Sequence, residues 1–280
     1  MLEYALPIAF AIFVWWFSTG IVLLLDGLPR TTFRWSHLIS TLLALGAYVG
    51  LVHTAPQTSV AGAYCAFTCA LLVWGWHELS FLTGWVTGPR RRAADEGVRG
   101  WTRFNQAFGA VLWHELAILA SGAAIVAATW GEANQVGTAT FAVLWVMRIS
   151  AKLNVFLGVR NLSIELLPPH LAYLGSYFRR RPMNRLFPLA VTLATAVAAL
   201  VIAEAVAAPP GSARFAGALL VATLLVLAIV EHWLLVLPLD ATALWRWALR
   251  AAARVRHGAG RENVLKSETP NGGDHVDAQA

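Results

Sequence analysis

Two short runs decide what kind of protein this is: LLVWGWHELSFL, residues 71–82, and AVLWHELAIL, residues 110–119. Both are apolar enough for lipid, yet each places a histidine beside a glutamate, His77-Glu78 and His114-Glu115. Outward from them the apolar character continues long enough to cross a hydrocarbon core, which takes about 20 helical residues. Over the 280 residues the hydrophobic fraction is 58% and the charged fraction 13%, where a soluble chain carries about a quarter charged. The mean hydropathy is +0.61. A backbone in lipid must satisfy its own hydrogen bonds, so the fold class is all-α, a polytopic membrane helical bundle.

Gly-Pro and Arg-rich breaks divide the chain into seven expected spans, at roughly 5–25, 38–55, 60–82, 107–130, 138–157, 188–208 and 215–237. Lys and Arg fall in alternate connections. The first holds Arg30 and Arg34, the third Arg90, Arg91, Arg92, Arg99 and Arg103, and the fifth Arg160, Arg179, Arg180, Arg181 and Arg185. The second and fourth hold none, the sixth only Arg214, and the C-terminal stretch is basic again. Positive residues stay on the cytoplasmic side, so the N-terminus is expected outside and the C-terminus in the cytoplasm. The net charge of +6 is thereby a topology signal and implies no nucleic-acid partner. The first span is too long for a signal core and lacks a basic n-region. Cys65 and Cys69 sit one turn apart in an apolar run and read as small buried hydrophobes.

The membrane domain is expected over 1–257. The segments near 176–188 and 244–255 mix aromatic or apolar residues with arginines and should sit at the cytoplasmic headgroups, in contact with membrane lipid. Residues 258–280 are polar and Gly-rich and are expected to be a disordered cytoplasmic tail.

With direction fixed, depth follows from the helical rise. His77 and Glu78, His114 and Glu115, and Glu231 and His232 all fall about 8 to 12 Å inside the cytoplasmic surface. Glu165 and His170 belong to the fifth connection on the same side, and Lys152 and Asn154 share the layer. An intramembrane carboxylate costs about 2.5 kcal/mol or more on insertion scales, so repeating it at matched depth argues for a shared purpose. Imidazole and carboxylate together are the ligand set of zinc, iron and manganese. The eight residues His77, Glu78, His114, Glu115, Glu165, His170, Glu231 and His232 are therefore candidate metal ligands, in the manner of a di-iron or di-manganese bundle. The Glu-x-x-His spacing of soluble di-iron bundles is absent. The same groups could instead pair with Lys152, Arg148 or Asn154 and hold spans together, ligate a tetrapyrrole magnesium, or carry protons.

The strings WWFSTG (15–20), WHELSFLTGWVTGPRRR (76–92), KLNVFLGVRNL (152–162), LPPHLAYLGSYFRRRPMN (167–184) and LFP (186–188) resemble the photosynthetic complex assembly protein family called PuhE. That family occurs in phototrophic bacteria with type-II reaction centres, in the gene neighbourhood of the reaction-centre H subunit. The resemblance covers nearly all the chain except the tail. It implies a multi-pass protein of the bacterial inner (photosynthetic) membrane, its N-terminus periplasmic, that supports complex assembly or modulates bacteriochlorophyll supply. Its implied partners are reaction-centre or light-harvesting subunits or pigment. The resemblance carries no active site onto particular residues. Beside this expectation stands a second one, a metal-dependent oxidoreductase acting on a lipid-soluble or pigment substrate through the His/Glu layer.

Overall fold

The computed structural model describes residues 2–239 and 241–256; the tail expected over 258–280 lies outside them. Among the described residues, seven helices are long and apolar enough to cross a membrane. They are α1 (Leu2–Asp26), α2 (Phe33–Thr54), α3 (Val60–Leu82), α4 (Gly100–Thr129), α5 (Val136–Leu157), α6 (Leu186–Ala207) and α7 (Ala213–Val236). An eighth, shorter helix, α8, covers 246–256.

The bundle is built around α3, which packs against α1, α2, α4, α5 and α7. Its sequence explains that place. Gly62, Ala63, Ala66 and Ala70 let neighbouring backbones approach, and Phe67, Trp74 and Phe81 fill the space between them, all buried. The outer helices keep apolar residues on their exposed faces: Leu189, Leu193, Val197 and Leu200 form such a stripe on α6. Exposed apolar residues at helical spacing are what a lipid-facing surface requires. At the end of the bundle poor in arginine, Asn134 fastens three helices. Its Nδ2 donates to Thr54 O and Gly62 O, both at 3.1 Å, and its Oδ1 accepts from Val136 N.

The arginine-rich end is more elaborate than the loops of the sequence suggested. Helix α4 begins at Gly100 rather than near 107, and the connection from α3 runs back along its extra turns. His114 N donates to Thr87 O at 2.8 Å, and Arg90 N donates to Gly109 O at 3.2 Å. Gly88 makes this possible. A Cβ there would lie 2.2 Å from Gly109 O and 2.5 Å from Ala110 C, which are helix backbone and cannot yield. Over this loop lies a stretch of 3-10 helix, Pro169–Tyr177, whose Leu171, Leu174 and Tyr177 bury against Phe81 and Ala110.

Helix α8 packs along α1. A Cβ at Gly20 would meet the Trp247 ring at 2.1 Å, and one at Gly27 would meet Ala252 at 2.5 Å. Trp16 Nε1 donates to Leu244 O at 2.9 Å and Trp245 Nε1 donates to Trp16 O at 3.1 Å. The FSTG glycine thus serves close packing, as small residues in membrane helices commonly do.

Candidate functional site

The polar layer divides into separate units, each with its own partners. Helix α5 presents Arg148 and Lys152 one turn apart, so both cations share a face. Arg148 meets Glu78 of α3 at 2.8 Å and Lys152 meets Glu115 of α4 at 2.5 Å. Each pair ties a different helix to α5. The Glu78 and Glu115 side chains are 14% and 17% exposed, and that of Arg148 is 39% exposed, so the first pair reaches the outer surface of the bundle through its cation. Lys152 also lies within electrostatic reach of Glu78, which couples the two pairs. Glu231, on α7, is exposed beside them, within reach of Arg148 and Glu78 and facing the Trp15 side chain of α1.

The two histidines of the HE pairs turn the other way, as neighbours about 100° apart on a helix must. His77 and His114 are buried, with ring centroids 6.4 Å apart. Nε2 of His77 is hydrogen-bonded to Ser121 Oγ at 2.9 Å. The His114 ring packs tilted against Phe81 with centroids 4.6 Å apart, and neither of its nitrogens has a hydrogen-bond partner among the described residues. A buried polar group without a partner costs about 1 to 3 kcal/mol, which makes His114 the least compensated polar residue of the layer.

His232 sits apart. Its Nδ1 donates to Ala228 O at 2.8 Å, leaving Nε2 to accept from Ser150 Oγ at 2.9 Å, a tie between α7 and α5. His170 belongs to the roof: its Nε2 donates to Leu82 O at 2.7 Å, capping the end of α3. Glu165 falls in the short 3-10 turn Ile164–Leu166, and its side chain lies outside the described residues. Among the described residues no three His, Cys, Asp or Glu are grouped so as to hold a metal ion. Of the eight candidate ligands, Glu78 and Glu115 are in the ion pairs with Glu231 beside them, His77 and His114 face each other, His232 makes the α7–α5 tie and His170 is in the roof.

Sequence reasoning passed over several residues that organise the arginine-rich end. Arg90 Nε donates to Tyr177 Oη at 2.8 Å, and Tyr177 Oη donates to Arg92 O at 3.0 Å. Arg90 also pairs with Asp95 at 2.6 Å, while Gln106 of α4 joins both. The Tyr177 hydrogen bond, then the one to Asp95, holds the Arg90 guanidinium above its ordinary value, and the Arg90 bond holds the Asp95 carboxyl below the usual carboxylate range. Burial pushes the Tyr173 phenol up, with Thr87 opposing. Arg103 donates to the carbonyls of Tyr177 and Phe156 and stacks over the Phe156 ring at 4.3 Å. Asn161 donates to the carbonyls of Leu234 and Leu237 and so closes the end of α7. The signals were Arg103 standing between Trp101 and Phe104, and Asn161 three residues after the Gly158 that ends α5.

Residues 1–256 match the family described as "Protein of unknown function (DUF3623)", and the chain belongs to that family. It is 39% identical over 242 residues to the "Uncharacterized 30.4 kDa protein in puhA 5'region" of Rhodobacter capsulatus, covering 85% of this chain and 88% of that one. No solved structure matches.

Proposed function

We propose that this chain is an integral membrane factor of the PuhE type that supports assembly of a photosynthetic complex, or modulates the bacteriochlorophyll supplied to it. In this reading its arginine-rich end faces the cytoplasm and its N-terminus the periplasm. The R. capsulatus relative, placed by its description in the puhA 5' region, supports the photosynthetic context. The observation that carries the reading is the exposed charge at the edge of the polar layer. Arg148 is part-exposed and Glu231 exposed on spans where an uncovered charge costs about 2.5 kcal/mol or more. A membrane partner seated there, a transmembrane helix of a reaction-centre or light-harvesting subunit or a pigment, would cover them. The inner ion pairs then act as the frame that holds this edge in shape.

A strain lacking the chain, grown phototrophically, tests the reading. Reduced reaction-centre and antenna absorption, restored by the wild-type chain but less by Arg148→Leu/Glu231→Leu, is expected. Normal complex levels in the deletion strain would reject it. The oxidoreductase reading keeps one foothold, the unpartnered nitrogens of His114 beside His77. It requires stoichiometric iron or manganese in the purified chain that is lost in His114→Ala.

A further inference from the structure

The run RRRPMNRL, 179–186, crosses from the 3-10 roof to the start of α6, and its backbone sorts its arginines. Residues 179–181 run extended beside Val159: Val159 N donates to Arg179 O at 3.1 Å, and Arg181 N donates to Val159 O at 3.0 Å. Alternate residues of an extended strand point to the same side. Arg179 and Arg181 accordingly line one pocket, of about 440 Å³, and Arg180 does not. Gly158, at φ +128°, lets the Arg181 stem lie flat on the chain; a Cβ there would come within 2.7 Å of Arg181 Cδ.

Arg185 completes the basic lining, and Leu157, Met183 and Leu186 give the pocket an apolar side. Asn184 forms its rigid floor. This buried side chain donates to Asn154 O, Asn154 Oδ1 and Gly158 O, and accepts from Leu186 N and Phe187 N. It therefore consumes the first amides of α6, leaving the arginines to recognise any anion. None of Arg179, Arg181 and Arg185 has a carboxylate partner among the described residues, and Arg103 adds positive charge within reach of Arg179. The pocket lies between the end of α5 and the start of α6, the level at which lipid headgroups meet a membrane bundle.

We propose that this pocket is a site for the phosphodiester headgroup of an anionic phospholipid, clamped by Arg179, Arg181 and Arg185, with Leu157, Met183 and Leu186 against the glycerol and upper acyl carbons. Guanidinium forks match phosphate oxygens, and basic pockets between membrane helices on the cytoplasmic side hold such headgroups. A free phosphate ion would use the same arginines and leave the apolar side unused. An acidic protein surface would engage Arg160 and Arg180, both exposed, as readily.

The test uses the full chain in neutral detergent, with native mass spectrometry counting adducts of phosphatidylglycerol and of phosphatidylcholine. Arg181→Ala/Arg185→Ala is compared with Arg160→Ala/Arg180→Ala, which removes equal charge outside the pocket. All four residues are exposed, so both variants should fold, and elution as a single monodisperse species checks it. The expected result is phosphatidylglycerol binding in preference to phosphatidylcholine, weakened about tenfold or more in the pocket variant and changed less than about twofold in the control. Equal losses in the two variants, or no loss in either, would overturn the site. So would displacement of the lipid by millimolar inorganic phosphate, which points to a free anion, or equal competition by a hexaglutamate peptide, which points to a protein surface.

Discussion

Gly88→Ala should loosen the arginine-rich end without touching the spans. The added Cβ would lie 2.2 Å from Gly109 O and 2.7 Å from Ala110 O, both held in α4. The loop must retreat by about 1 Å, since real Cβ atoms essentially never come within 3.0 Å of another heavy atom. That shift breaks the His114 N to Thr87 O bond of 2.8 Å and the Arg90 N to Gly109 O bond of 3.2 Å. Losing two such bonds in a buried setting costs about 1 to 3 kcal/mol each. The lower entropy of the unfolded alanine chain returns about 0.4 to 1 kcal/mol. A net loss of about 1 to 5 kcal/mol follows, centred near 3 kcal/mol, which is about 160-fold in the folding equilibrium. Unfolding by sodium dodecyl sulfate in mixed micelles, followed by the fluorescence of the thirteen tryptophans, reads the total. Hydrogen exchange over 87–91 and 109–115 reads the site. Unchanged stability with unchanged protection of both peptides would refute the docked loop.

Asn161→Ala removes the donors that close the end of α7 and should lower stability by about 1 kcal/mol, measured by the same titration. Asp95 has its carboxyl held low by Arg90, so its contribution is full above the unfolded value near pH 4 and is lost as pH falls through the lower folded value. Limited proteolysis of the 83–99 loop should therefore accelerate as the solution is acidified below about pH 4, and Asp95→Asn should remove that step. His232→Phe cuts the tie to Ser150 and should cost about 1 to 2 kcal/mol, whereas His53→Phe, near the far end of α2, should be neutral within about 0.5 kcal/mol in the same assay.

The seven spans were legible because lipid imposes one simple rule, an apolar run of sufficient length, and α3 and α5 differ from the expected limits by two residues at most. The start of α4 was not legible. Residues 100–107, GWTRFNQA, read as loop by polarity, but they are helical, with Arg103 bonded to the roof at Tyr177 and Gln106 to Arg90 and Asp95 of the 83–99 loop. Depth put these residues in one layer, where His77 lies beside His114 and Glu78 and Glu115 meet Arg148 and Lys152. It could not say which way each member faced, since adjacent helix positions diverge and only packing shows which neighbour each meets. The roof itself was illegible, because it depends on side chains meeting across 70 or more residues, such as Arg90 with Tyr177.

The account rests on carboxylates and cations paired across helices within the membrane, and reversal of one pair tests it most directly. Glu115→Lys and Lys152→Glu are made singly and together, and stability is read by detergent-induced unfolding. Each single change sets like charges together and should cost about 3 kcal/mol or more, while the reversed pair should recover most of that loss. A reversed pair no more stable than the sum of its single variants would contradict the account.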